Sequence, residues 1–116
     1  MHTSVTRSFT FEAAHQLPWH PGKCRELHGH GYRLEVTVEG PVGPNGMVLD
    51  FGEVEAVVKR EVIARYDHRY LNDLLDNPTA EHIAHDAWKA LEAAGLRVAR
   101  LRLWETDDCS VELLAE

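Results

Sequence analysis

Two histidines separated by one residue, His28-Gly29-His30, are the first positions whose types and spacing suit a chemical task. Side chains two apart on an extended strand project to the same side, so both imidazoles can serve one ion. His15 ends an earlier alternating stretch on the parity of Phe9, Phe11 and Ala13. Antiparallel pairing of the two stretches brings it opposite the His-Gly-His pair. Three imidazole nitrogens with a fourth position left open are the pattern of catalytic rather than structural zinc. A bare His-x-His is common as a surface or hydrogen-bonded pair; the third histidine and a nearby cysteine turn this one toward a metal.

That cysteine, Cys24, lies four residues before His28 in a segment broken by Pro18, Pro21 and Gly22. Two roles are open to it. As a fourth ligand it closes the site and makes the metal structural; as a free thiol beside a dication it has a lowered pKa and serves as a base. Asp67-His68 is a carboxylate beside an imidazole, able to orient the ring and raise its basicity, or else an incidental polar pair in a connection. Glu105, in Trp104-Glu105-Thr106, places a carboxylate at the end of a strand, where it can grip a flat heterocycle with adjacent N–H donors. His82 and His85 are expected to face solvent, His2 and His20 have no assigned role, and Cys109 is expected to pack as a small apolar side chain.

The elements that must position these groups follow from periodicity. Val5 to His15 and Tyr32 to Glu39 alternate as two strands that pair antiparallel. Met47-Val48-Leu49 is a candidate short extended segment. Asp50, with Glu53 three residues on, resembles a capping box opening a helix whose apolar stripe is Phe51, Val54, Val57, Val58 and Val62. Tyr66 to Asn77 is a connection. A second helix starts at Pro78-Thr79, capped by Asn77 or Thr79, buries Ile83, Ala84, Ala87, Trp88, Leu91 and Ala94, and stops at Gly95. Val98 to Trp104 and Ser110 to Leu114 are the last strands. The expected fold class is α+β: an antiparallel four-stranded sheet, in the order ββααββ, with two helices on one face. The chain, residues 1–116, reads as a single domain.

Lys and Arg total 12 against 19 Asp and Glu, a net charge of −7, and no basic run offsets it. Nucleic-acid binding is therefore not expected. No stretch approaches the roughly 18 to 20 apolar residues of a membrane span, and Met1-His2-Thr3-Ser4 lacks a signal peptide's basic and apolar regions. No membrane association and a cytoplasmic location are the expectations.

Phe9-Thr10-Phe11-Glu12-Ala13-Ala14-His15, Cys24 with Leu27-His28-Gly29-His30, Asp67-His68-Arg69-Tyr70-Leu71-Asn72, Asn77-Pro78-Thr79 and Trp104-Glu105-Thr106 together resemble the 6-pyruvoyltetrahydropterin synthase family, in order and nearly end to end. The resemblance implies the T-fold, with sheets joining into a barrel in a homohexamer. It implies zinc on His15, His28 and His30, proton transfer by Cys24, Asp67 and His68, and a pterin anchor in Glu105. The short Cys24-to-His28 spacing is similar to the 6-carboxytetrahydropterin-forming branch, which converts dihydroneopterin triphosphate toward 7-deazaguanine compounds and queuosine, releasing acetaldehyde and triphosphate. Lys23 and Arg25 are then candidates for the triphosphate. The alternatives are the pyruvoyl-forming reaction and, from another class, a non-catalytic zinc scaffold closed by Cys24.

Overall fold

The computed structural model describes residues 1–116. Strands β1 (Ser4–His15) and β2 (His28–Glu39) pair antiparallel along their whole length, from Ser4 opposite Glu39 to His15 opposite His28. A short strand β3 (Arg69–Tyr70) joins the outer edge of β1 in parallel, and β4 (Val98–Thr106) and β5 (Cys109–Leu114) extend the other side, so the order is β3-β1-β2-β4-β5. The sheet thus has five strands rather than four. The fifth is two residues long, too short for any alternation to announce it.

The first helix runs Phe51–Val58, widens into a π-helical turn at Lys59–Ile63 and closes as Ala64–Tyr66. Asp50 caps it by accepting from the Gly52 N–H at 2.6 Å, so the bond goes to Gly52 and not to Glu53 as a capping box requires. The second helix is Ala80–Ala93, with the Thr79 hydroxyl accepting from the His82 N–H at 3.2 Å. The segment Met47-Val48-Leu49 forms no strand.

Both helices cover one face of the sheet. Val54, Val58, Val62 and Tyr66 of the first and Ile83, Ala84, Ala87 and Leu91 of the second are buried against Phe9, Phe11, Tyr32, Leu34, Val36, Leu101 and Leu103. Phe51, read from its spacing as part of the stripe, is 55% exposed; it stands on the first turn, beyond the buried cluster. Cys109 is likewise exposed rather than packed, because it opens β5 directly after the tight turn. The opposite sheet face is polar. Thr6 and Thr37 share a hydroxyl contact at 2.7 Å, and the guanidinium carbons of Arg33 and Arg102 lie 4.6 and 4.7 Å from the Trp104 ring centroid. No helix is long and apolar enough to cross a membrane.

Candidate metal and substrate site

Residues directly opposite on paired strands share a face of the sheet. The register therefore sets His15 against His28, the small Ala13 against His30, and Phe11 against Tyr32, all on the helix-covered face. The Phe11 and Tyr32 rings stack at 4.9 Å and form the floor beneath the three imidazoles. His15 is fully buried, while His28 and His30 are partly so.

Hydrogen bonds at the rear of two rings fix their tautomers. His15 Nδ1 lies 2.8 Å from the Pro78 carbonyl and His28 Nδ1 lies 2.7 Å from the Glu26 carbonyl. A carbonyl only accepts, so each Nδ1 carries the hydrogen and each neutral ring keeps its lone pair on Nε2. These two Nε2 atoms face each other at 3.0 Å, a contact that is favourable only with a cation, proton or metal, between them. His30 Nε2 is buried without any hydrogen-bond partner.

The three ligand atoms lie within 4.8 Å of one another. Zinc–nitrogen bonds of about 2.0–2.1 Å separate tetrahedral ligands by about 3.3 Å, so the cluster fits a small dication after a modest contraction. Burial holds the His30 imidazole below the usual histidine range; nearby Glu105 opposes this, and His15 and His28 reinforce it. The neutral form that a metal needs is favoured.

Cys24 stands outside this cluster. It lies in a single 3₁₀ turn, Lys23–Arg25, partly buried, with its carbonyl accepting from the Leu17 N–H at 2.8 Å. The turn is thus tied to the end of β1, but the thiol is not among the grouped metal-binding atoms.

Asp67-His68 is built differently. Asp67 Oδ1 accepts from the Glu12 N–H at 2.9 Å and the His68 N–H donates to the Glu12 carbonyl at 2.6 Å, clipping this turn to the free edge of β1. Asp67 Oδ2 lies 3.0 Å from His68 Nδ1. The Glu12 N–H, then His68, holds the Asp67 carboxyl below the usual range. His68 sits at φ 59°, in the left-handed region that few non-glycine residues occupy. Its ring is 80% exposed and borders a cavity of about 470 Å³ lined by Glu12, Ala13, Ala14, Gly29, His30 and Gly31 among others. The cavity therefore reaches from His68 to His30, one of the three clustered imidazoles. His68 and Cys24 share no hydrogen bond within the chain.

Glu105 is the residue whose position the sequence reading missed. That reading kept it apart from the metal; the structure places Glu105 Oε1 3.4 Å from His15 Nε2 and 3.6 Å from His30 Nε2. Its face parity was legible from Leu101 and Leu103, but the register shift between Trp104 and Thr106 that removes it from the β4–β5 ladder was not. The Tyr32 hydroxyl was missed as well: it is buried near this carboxylate with no hydrogen-bond partner, and burial, then Glu105, drives its pKa upward. His82 and His85 are exposed, as expected.

The comparisons agree with this architecture. The chain is 44% identical over 99 residues to a Synechocystis protein named 6-carboxy-5,6,7,8-tetrahydropterin synthase, covering 79% of this chain and 77% of the relative. It is 39% identical over 107 residues to a Pyrococcus furiosus protein named dihydroneopterin monophosphate aldolase, covering 90% of each. The Caenorhabditis elegans 6-pyruvoyl tetrahydropterin synthase structure superposes with a TM-score of 0.87 at 23% identity, covering 100% of this chain and 97% of that one, which shows the shared fold. Residues 4–116 match the family described as 6-pyruvoyl tetrahydropterin synthase, and the chain belongs to that family.

Proposed function

We propose that the chain is a zinc-dependent 6-carboxytetrahydropterin synthase, converting dihydroneopterin triphosphate to 6-carboxytetrahydropterin with release of acetaldehyde and triphosphate, at the entry to 7-deazaguanine and queuosine synthesis. The observation that carries it is the cluster of three Nε2 atoms, two with their tautomers fixed from behind, in a chain 44% identical to a relative of that name. His15, His28 and His30 hold the metal, which when bound supplies Lewis-acid polarisation of the substrate's side-chain oxygens.

The remaining work falls to the protein. Glu105 grips the pterin through its ring N–H and exocyclic amine. Cys24, as thiolate, removes a proton from the side chain. Asp67 holds His68 by Nδ1, which leaves Nε2 to accept or return a proton. Lys23 and Arg25, both exposed in the Cys24 turn, are the candidates to meet the triphosphate. Because His68 stands 80% exposed and shares no hydrogen bond with Cys24 within the chain, we read the proton-transfer set as completed by a second copy of the chain, in a homohexamer. The scaffold alternative loses its main support, since Cys24 is not grouped with the histidines.

The Pyrococcus furiosus relative favours a second reading, aldol cleavage of the monophosphate at the same site; the pyruvoyl-forming reaction is a third. Incubating the purified protein separately with dihydroneopterin triphosphate and monophosphate, with products identified by mass spectrometry, decides among them. 6-Carboxytetrahydropterin and acetaldehyde from the triphosphate are the expected result, and a 6-hydroxymethyl product from the monophosphate alone overturns it.

A further inference from the structure

The loop of residues 16–27, which carries Cys24 from the end of β1 to the start of β2, is closed largely on itself: the Leu17 N–H donates to the Cys24 carbonyl at 2.8 Å and the His20 N–H to the Leu17 carbonyl at 2.9 Å. Apart from His28 at the loop's own end, only two side chains from elsewhere in the chain hydrogen-bond it, and both are asparagines. Asn72, in the 3₁₀ turn Leu71–Asp73, accepts from the Gln16 N–H at 3.0 Å and donates to the Gln16 carbonyl at 2.8 Å. Asn77 Oδ1 accepts from the Trp19 indole N–H at 2.8 Å. Leu71 and Pro78, the neighbours of these asparagines, are buried, and the Pro78 carbonyl is the group that holds His15 Nδ1. One short stretch of chain therefore grips both the cysteine loop and the fully buried imidazole.

We infer that Asn72 and Asn77 are positioning residues: acting through Gln16 and Trp19, they set the Cys24 turn in a fixed place relative to the histidine cluster. This rests on the reading of Cys24 as the base and adds what aims it. A reacting group displaced by about 1 Å loses on the order of a hundredfold in rate, so a thiol on a surface loop needs an external reference. Packing does not provide one, because the Lys23–Arg25 turn buries none of its residues. The two amides do, since both are anchored on the backbone that orients His15. Trp19 fits the same account. Its surface is 61% exposed, so what fixes it is the indole N–H rather than the hydrophobic core.

The experiment uses the zinc-loaded, full-length protein in its native assembly. It compares wild type with Asn72→Ala, Asn77→Asp, Asn77→Ala, Trp19→Phe and a double variant of the last two. Zinc content, kcat and KM with dihydroneopterin triphosphate, and hydrogen exchange of residues 17–26 are measured for each. In the Ala and Phe variants zinc content should match wild type, kcat should fall about 10- to 100-fold with KM changed far less, and loop exchange should quicken about 3- to 10-fold while the second helix exchanges as before. Asn77→Asp keeps the acceptor that Trp19 needs, so it should restore most of what Asn77→Ala loses. The double variant should lose no more than either single one, because both remove the same bond. Wild-type kcat and loop exchange in Asn72→Ala and Asn77→Ala overturn the inference, and so does a double variant whose loss is the product of the single ones. A wild-type protein without turnover, or a fully active Cys24→Ala, overturns the reading of Cys24 beneath it; loop exchange then still decides whether the two asparagines hold the turn.

Discussion

The histidine end of the core and the Asp67-His68 turn lie close along β1 yet are built on opposite terms. The first is buried, assembled within one chain, and left with unpaired polar atoms at His30 Nε2 and Tyr32 Oη. The second is exposed and tied by backbone bonds to Glu12. Buried polar groups without partners are rare because each costs about 1–3 kcal/mol. Their concentration here marks a place prepared for something the chain does not supply. The turn's backbone and carboxylate are satisfied within the chain, and only its His68 ring stands open.

The sharpest way to break this contrast is His28→Ala. It should strip the metal and all turnover with it, an effect beyond the about 10- to 100-fold carried by outer partners of a metal site. Elemental analysis showing stoichiometric zinc in the variant counts against the ligand set.

Cys24→Ala and His68→Ala should each lower turnover by about 10²- to 10⁴-fold while zinc content stays unchanged. Mixing the two inactive proteins under conditions that let subunits exchange should recover part of the activity, because some sites receive an intact group from each copy. No recovery, or a monomeric mass by light scattering, contradicts the shared site.

Glu105→Gln should weaken pterin binding by about ten- to a hundredfold, since an amide donor then faces a ring donor. Calorimetry giving equal affinities for the two proteins removes the anchor role.

The metal-free protein should lose stability as pH falls. The His30 pKa lies below its ordinary 6.5 in the folded state, so the unfolded chain binds the extra proton first. The contribution is complete above 6.5, is lost as pH falls from there toward the folded value, and should shrink when zinc is bound. Melting temperatures of apo and zinc-loaded protein between pH 5 and 8 check this, and parallel curves refute it.

The smallest effect belongs to Tyr32→Phe. Removing a buried hydroxyl that bonds nothing should leave the metal-free protein as stable or more stable by up to about 1 kcal/mol. A loss of similar size in denaturant unfolding reveals a partner for that hydroxyl.

Much of this protein was legible in its sequence because strand alternation has a period of two. That parity alone set His15, His28 and His30 on one face, and the helical spacing of Val54, Val58 and Val62 and of Ile83, Ala87 and Leu91 set what covers it. Tertiary structure decided the rest, where periodicity has nothing to say. The two-residue β3 is too short to carry a pattern and exists only because the Asp67-His68 turn is clipped to Glu12. The exposure of Phe51 and Cys109 depends on where helix and strand ends overhang the core. The distance from Glu105 to the imidazoles depends on a register shift between Trp104 and Thr106. Residue type and spacing set the side of the sheet on which a group stands; only the pairing of distant strands sets how near it comes to its partners.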